Sequence, residues 1–280
     1  MTLLTPVNEF GWRLTTDTTR PGSAFGTAFT PGNNAYSAWS SLIAGASVPY
    51  NVRAIEIIVN NYYASTAARD LIVDIGIDPA GGTSFTALLT GLLAASAVYL
   101  SAACVGLHYH FPVFIPAGSS IGVRGSANSA SGASCRAYAK LWGQPSRPEL
   151  LPPFGGFQAL GVTPASSSGT AITPGTTSDG AWTSLGTLTQ NAYWWQMGFG
   201  LNNSAQNNLT YFADLAVGDA SNKKMLIENA VMTTSSNEIV GWELPANCWG
   251  RGKAGETVYA RMQCSGTPDS GLSVAAYAIG

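Results

Sequence analysis

The stretch GTAFTPGNNAYSAWSSL occupies residues 26–42, and GTAITPGTTSDGAWTSL occupies residues 169–185. Ten of the seventeen aligned positions are identical, including the TPG turn and the AW pair. Further matches follow at similar spacing: LIVDIGIDPAGG from Leu71 corresponds to YFADLAVGDASN from Tyr211, and RAYAKLWG from Arg136 corresponds to the closing AAYAIG. The sequence therefore predicts two copies of one domain rather than a solenoid of short repeats.

The segment between the copies, GQPSRPELLPPFGGF at residues 143–157, contains four prolines and three glycines. Proline lacks the amide N–H that helix interiors and central strands need, so this segment is predicted to be an extended linker. We predict a first domain at residues 1–147, a linker at 148–157 and a second domain at 158–280.

Within each copy the residue pattern favours strands. In AIEIIVN and DLIVDIGID, β-branched and apolar residues form short runs between clusters of Gly, Ser, Asn and Pro. TVYARMQCSG and GLSVAAYAIG are predicted to be closing strands, and FTALLTGLLAAS, residues 85–96, could hold one short helix. We therefore predict an all-β chain of two tandem, duplicated, antiparallel β-sandwich domains of jelly-roll type.

Charge and hydropathy argue against two classes of partner. Charged residues make up 10% of the chain and the net charge is −2, so no field attracts a nucleic acid. Residues 88–107 are uncharged and long enough to span a bilayer. The corresponding region of the second copy contains Glu228 and Glu238, so we predict buried structure and no membrane partner. The early acidic residue and the lack of a long apolar run predict no signal peptide.

The four cysteines, Cys104, Cys135, Cys248 and Cys264, form no CxxC pair. Small buried thiols are the favoured interpretation, with a Cys248–Cys264 disulfide as the alternative in an oxidising compartment. The chain has no GxSxG, no phosphate-binding loop and no cysteine beside a credible histidine partner. We predict no catalytic residues, no metal and no cofactor.

The repeated stretch singles out four positions, each of which has the same residue in both copies: Pro31, Pro174, Trp39 and Trp182. Each tryptophan follows a TPG turn at the same distance. A large aromatic ring at a fixed place in both copies is predicted to anchor the core of each sandwich.

Polar residues offer two weaker hypotheses. His108 and His110 lie on one face of a strand, which favours a structural or interface role, although a threefold axis could gather three such pairs around a metal. Asp74 and Asp78 match Asp214 and Asp219. They are predicted to make local turn hydrogen bonds, with a calcium site or a glycosidase carboxylate pair as the alternatives.

Aromatic residues are the remaining candidates for a binding surface. Consecutive residues of a strand point to opposite faces, so at least one member of a run of aromatics points away from the core. Such a ring is either buried in a thick sandwich, part of a protein interface or a platform for a sugar. The candidates are Tyr62, Tyr63, Tyr193, Trp194, Trp195 and Trp249.

With its duplicated GTA-TPG…AW-SL stretch, few charges and many Gly, Ser, Thr and Ala turns, the chain resembles virion accessory proteins of tailed bacteriophages. These are capsid decoration (cement) proteins and the bases of spikes. The resemblance implies a non-enzymatic structural protein that is assembled into a virion in the host cytoplasm. It implies a major capsid protein or spike protein as partner, and a homo-oligomer such as a trimer.

Two other functions remain open. A carbohydrate-binding or receptor-binding module on a spike or tail would use the aromatic run at residues 193–195. A β-sandwich glycosidase would need Asp74 or Asp214 in a cleft beside a second carboxylate.

Overall fold

The computed structural model describes residues 5–6, 26–63, 70–95, 97–98, 107–128, 133–143, 155–202, 208–235, 238–242 and 247–280. These residues form strands, turns and two three-residue 3₁₀ helices, at Gly45–Ser47 and Pro164–Ser166. The all-β prediction is confirmed. In the described part of the chain, no helix has the length and hydropathy needed to cross a membrane.

The described strands of the first half form two sheets. Sheet 1 contains β1 (Thr5–Pro6), β2 (Thr27–Phe29), β5 (Val52–Tyr63), β8 (Ala97–Val98), β9 (Leu107–Phe111) and β11 (Ala133–Gly143). Sheet 2 contains β3 (Gly32–Asn33), β4 (Ser40–Ile43), β6 (Asp70–Asp78), β7 (Thr86–Ala95) and β10 (Ser120–Ala127).

The described strands of the second half form two more sheets. Sheet 3 contains β12 (Phe157–Leu160), β13 (Val162–Thr163), β14 (Ser168–Ala171), β16 (Ala192–Leu201), β20 (Asn247–Gly252) and β22 (Leu272–Ile279). Sheet 4 contains β15 (Thr183–Thr187), β17 (Thr210–Gly218), β18 (Lys223–Ser235), β19 (Glu238–Trp242) and β21 (Thr257–Cys264).

The strand order is that of a jelly roll in both halves. In the first half, β2, β11, β5 and β9 are neighbours in one sheet, and β4, β10, β6 and β7 are neighbours in the other. The second half repeats this order with β14, β22, β16 and β20, and with β15, β21, β17 and β18. When the eight strands of each half are numbered from one to eight in chain order, one sheet has the order one, eight, three, six, and the other has the order two, seven, four, five. The duplication therefore extends from sequence to topology.

Each pair of sheets encloses its own apolar core. Strand β21 alternates half-buried and buried residues, as expected where one face packs on the core. Strand β6 is almost continuously buried, because its outer face is covered as well. The predicted helix at residues 85–96 is wrong: Thr86–Ala95 is strand β7, because its leucines pair with β6 in an antiparallel ladder.

The second sandwich covers the first through the outer face of sheet 3. The hydroxyl of Tyr277 donates to the carbonyl of Gly91 at 3.1 Å and accepts the N–H of Leu93 at 2.7 Å. The ring packs edge-on against Tyr109 and Phe111 of β9. Because β7 is an edge strand of sheet 2 at these residues, the tyrosine satisfies backbone groups that the ladder leaves open.

The strand ladders correct one detail of the repeat alignment. Thr27 lies opposite Ala137 in β11, whereas its counterpart Thr170 lies opposite Val274 in β22. The two AYA triplets are therefore out of register by two residues, and Lys140 rather than Tyr138 occupies the position of Tyr277. The shift is even, so both residues still belong to the outer face.

Most of the predicted linker, and Cys104, lie outside the described residues. Among the described strands, every ladder joins strands of the same half.

Candidate ligand-binding surface

The repeated stretch builds an arginine cluster on the outer face of sheet 2. Arg124 of β10 lies opposite Asp74 of β6 and donates to its Oδ2 from Nε at 2.9 Å and from a terminal nitrogen at 2.8 Å. The rings of Tyr36 and Trp39 each lie 4.4 Å from the guanidinium carbon. The buried carboxylate is thereby compensated by a charge that two aromatic rings hold in place.

The second copy repeats this cluster on sheet 4. Arg261 donates to Asp214 at 2.8 Å and lies 4.5 Å from the ring of Trp182. Asp179, at the position of Tyr36, makes a second ion pair with Arg261 at 2.8 Å. The aspartates Asp74 and Asp214 each accept one more hydrogen bond at 2.8 Å, from the N–H of a bulged residue with positive φ in the next strand.

These clusters correct the predicted role of the two tryptophans. Trp39 and Trp182 are half-buried outside both apolar cores, so neither anchors a core. Trp39 lies on the outer face of sheet 2. Its indole packs so closely on Gly76 that there is no room for a Cβ at that position. Pro31 and Pro174 are buried at the matching turns.

The clusters also account for the four aspartates. Asp74 and Asp214 are held by arginines, while Asp78 and Asp219 accept backbone N–H groups within their own turns. In the described part of the chain, no three His, Cys, Asp or Glu residues are placed to hold a metal ion. The two arginine-bound carboxylates therefore have a structural role.

We expect Asp74→Asn to lower the free energy of unfolding by about 1–3 kcal/mol, because it leaves a partly buried guanidinium without its carboxylate. Asp214→Asn is the matched control and should cost less, since Arg261 keeps its ion pair with Asp179. Urea denaturation of both variants measures the difference. Equal losses of unfolding free energy in the two variants would show that the Asp179 carboxylate does not contribute to stability.

A second polar cluster surrounds Glu56 on the outer face of sheet 1. Its carboxylate lies 2.7 Å from His108 Nε2 and 3.6 Å from Lys140 Nζ, and accepts the indole N–H of Trp142 at 3.1 Å. Burial by itself raises the pKa of Glu56, but His108, Lys140 and Trp142 outweigh it and the net pKa is lowered. Glu56 is therefore held as a carboxylate.

The cluster continues into aromatics at the seam between the sandwiches. His110 packs edge-on against Trp194 with ring centroids 6.4 Å apart, and Trp194 packs edge-on against Trp249 at 4.9 Å. Trp194 is 8% exposed and Trp249 is 63% exposed, so the exposed indole of Trp249 packs on the buried indole of Trp194. We call His110, Trp194 and Trp249 the seam surface.

Hydrogen bonds fix the seam surface in place. Gln196 of the second sandwich accepts the backbone N–H of His110 at 3.2 Å and donates to the carbonyl of His108 at 3.4 Å. Burial lowers the pKa of His110, so its imidazole is neutral at pH 7 and offers one donor and one acceptor. The seam surface therefore combines an exposed aromatic plane with a neighbouring polar ring.

The other predicted aromatics lie apart. Trp195 is fully buried in the second core and donates its indole N–H to the carbonyl of Gly250, whereas Tyr193 is 40% exposed. Tyr62 and Tyr63 belong to β5, and their side chains lie outside the described residues. Sequence reasoning selected Trp194 and Trp249 separately. It could not pair them, because their contact depends on the ladder between β16 and β20.

Three of the cysteines are described. Cys135 and Cys264 are buried thiols and Cys248 is a half-buried thiol. None of these three described cysteines forms a disulfide, so the alternative of a Cys248–Cys264 disulfide is wrong. Burial raises the pKa of Cys135 to about 12 and that of Cys248 to about 11, which leaves both in the unreactive thiol form at neutral pH.

No protein-family model matches the chain, and its sequence matches none of the curated proteins. Among solved structures it is similar to PNGF-II, with 11% identity and a TM-score of 0.39, and the alignment covers 99% of this chain and 65% of that one. It is also similar to the CBM22-1–CBM22-2 tandem domain of Paenibacillus barcinonensis Xyn10C, with 12% identity and a TM-score of 0.26, covering 92% and 98% of the two chains. At these values the similarities support no inference about the activity of this chain.

Proposed function

We propose that the chain is a non-catalytic virion accessory protein that binds carbohydrate through the seam surface. The observation that carries the proposal is the exposure of Trp249 on a fixed aromatic support. The C–H groups on one side of a sugar ring form an apolar face that packs on a flat indole. The hydroxyls at the rim of the sugar need donors and acceptors, which His110 supplies as a neutral imidazole.

The placement of carboxylates supports a binding role over catalysis. Glycosidic hydrolysis needs one carboxyl group as acid and a second as base or nucleophile on opposite sides of the bond. Glu56 is held by His108, Lys140 and Trp142, and Asp74 and Asp214 are held by arginines. The virion location rests on the resemblance to tailed-bacteriophage accessory proteins.

Trp249→Ala tests the proposal. We expect at least about fivefold weaker binding to any glycan that the wild-type chain binds on a glycan array, because a stacking contact of the size known for a base on an aromatic side chain is worth about 1–3 kcal/mol. Isothermal titration calorimetry with the best glycan measures the loss. Tyr193→Ala, which removes another exposed aromatic ring, is the control and should bind as the wild type does.

The proposal fails if the wild-type chain retains no glycan, or if Trp249→Ala binds as tightly as Tyr193→Ala. Because Trp249 is largely exposed, both variants should keep the wild-type circular dichroism spectrum and melting temperature.

A second candidate function is capsid decoration. It is favoured by the tight packing of the two sandwiches on each other through Tyr277, since a stiff two-domain unit suits contact with a lattice. Immunogold electron microscopy of phage particles separates the candidates. Label spread over heads would support decoration, and label confined to spikes or tails would support carbohydrate binding. Label on neither would exclude a virion role.

A further inference from the structure

Each jelly roll has the same two outer faces, and among the described residues the contact between the two sandwiches uses one outer face of each. Within the chain, the outer face of sheet 3, with Tyr277 at its centre, covers the outer face of sheet 2 around Ile72 and Gly91. The counterparts of these faces are the outer face of sheet 1, around Lys140, and the outer face of sheet 4, around Phe212. We call these the free covering face and the free receiving face.

The free receiving face exposes apolar surface that its counterpart buries. Ile72 in β6 is 0% exposed beneath the second sandwich, whereas Phe212, at the same position of β17, is 37% exposed. Val231, opposite Phe212 in β18, is only half-buried. Aromatic residues are enriched at protein interfaces relative to the rest of the surface.

The bulge in the neighbouring strand repeats the backbone geometry that Tyr277 binds. Gly91 and Asn229 both have positive φ, and both donate their N–H to the aspartate of the arginine cluster. Tyr277 donates to the carbonyl of Gly91. Asn229 is exposed, so the equivalent carbonyl lies on an exposed part of β18.

Charges differ between the internal contact and the free faces in a complementary way. The internal contact places the hydroxyl of Tyr277 on the carbonyl of Gly91, the residue that follows Thr90 in β7. At the corresponding positions, the free covering face has Lys140 and the free receiving face has Glu228, which is exposed. Lys140 lies 3.6 Å from Glu56 of its own chain, but an ammonium group has three N–H donors and can also donate to a backbone carbonyl of a second copy. A carboxylate next to that carbonyl favours the contact.

We propose that the free covering face of one copy binds the free receiving face of a second copy, in the arrangement that already joins the two sandwiches of one chain. The contact joins two different faces, so it is heterologous. After two copies have bound, one has an unoccupied covering face and the other an unoccupied receiving face, so further copies can add. The product is a closed ring if the rotation closes and an open filament if it does not. This inference does not depend on carbohydrate binding, and Trp249 has no part in it.

Charge reversal in the full-length chain tests the proposal. We expect the wild type to form species heavier than the monomer in sedimentation velocity between micromolar and hundreds of micromolar concentration. Lys140→Glu and Glu228→Lys should each weaken association at least about tenfold, since each places like charges across the contact. An equimolar mixture of the two variants should associate again, because the K140E face of one chain opposes the E228K face of the other.

Lys253→Glu, at an exposed position between β20 and β21, reverses a charge in neither of the two contacting strands and is the control, which should associate as the wild type does. Glu228 is exposed, so Glu228→Lys keeps the test valid if Lys140→Glu unfolds the glutamate cluster. A wild type that stays monomeric at every concentration overturns the proposal. So does a Glu228→Lys variant that associates like the control, or one whose association the Lys140→Glu chain fails to restore.

Discussion

Tyr277→Ala is expected to lower the free energy of unfolding by about 3–5 kcal/mol, the usual cost of truncating a fully buried aromatic ring. The ring is fully buried against Tyr109, Phe111 and Phe157, and its hydroxyl connects two backbone groups of β7. Removal leaves a cavity between the sandwiches and leaves the N–H of Leu93 without its partner. Urea denaturation followed by tryptophan fluorescence measures the loss.

Tyr277→Phe removes the hydroxyl and keeps the ring. It should lower the free energy of unfolding by about 1–3 kcal/mol, since it leaves one buried donor and one buried acceptor without a partner. Tyr138→Ala is the matched control, because it alters the other AYA triplet at a half-buried position on an outer face. Its cost should be well below that of Tyr277→Ala. Equal costs for the two alanine variants would contradict the structural role given to Tyr277.

Asp70→Asn is expected to stabilise the protein above pH 7 and to flatten its stability profile between about pH 4 and pH 7. Asp70 is almost fully buried between the sandwiches, with Ser273 Oγ 3.4 Å from its carboxylate. Burial raises the pKa of Asp70 from 3.8 to about 7, because this environment compensates its charge poorly. The folded state therefore holds a proton that the unfolded chain releases near pH 4.

The sign follows from which state binds the proton. Below pH 4 the carboxyl group is protonated in both states, and its full contribution to stability is present. As the pH rises to about 7, the unfolded state loses its proton first and the protein loses up to about 4 kcal/mol, at about 1.4 kcal/mol per pKa unit. An asparagine carries no charge, so this loss should vanish in Asp70→Asn.

Urea denaturation of wild type and variant across pH 4 to pH 8 measures the difference between the two profiles. Comparing them removes the contributions of Glu56 and His110, which both chains share. Asp219→Asn is the control: Asp219 is exposed in a turn and its pKa is lowered by the backbone N–H groups of Asn222 and Ser221, so its effect should have the opposite sign. Parallel profiles for wild type and Asp70→Asn would contradict the prediction.

Patterns within one strand or turn could be predicted from the sequence alone. AIEIIVN and TVYARMQCSG each predicted a strand, and β5 and β21 form there. Strand β21 alternates half-buried and buried residues because one of its faces packs on the core, whereas residues 54–57 of β5 are all buried. The repeated GTA-TPG…AW-SL stretch is local, so it revealed the duplication without a structure. The helix predicted at residues 85–96 is wrong because a strand with a continuously buried stretch, as β7 has at residues 91–94, has the same apolar composition as a buried helix.

The tryptophans of the repeat show where local reasoning ends. Their equal spacing within the two copies indicated a common role, but a large aromatic ring can pack in an apolar core or against a guanidinium group. Only the pairing of β10 with β6 places Arg124 opposite Asp74 and beneath Trp39. The contact joins residues distant in the sequence, and nothing in either segment specifies it.

The sequence by itself determined the fold class, the duplication and the scarcity of charge, because strand periodicity and turn chemistry act over neighbouring residues. Only the tertiary structure decided which outer faces are covered, which aspartates are held by arginines, and that His110, Trp194 and Trp249 meet at one seam. These outcomes depend on how two sandwiches pack against each other. Such packing depends on shape and on pairs of residues contributed by distant strands, which no local pattern records.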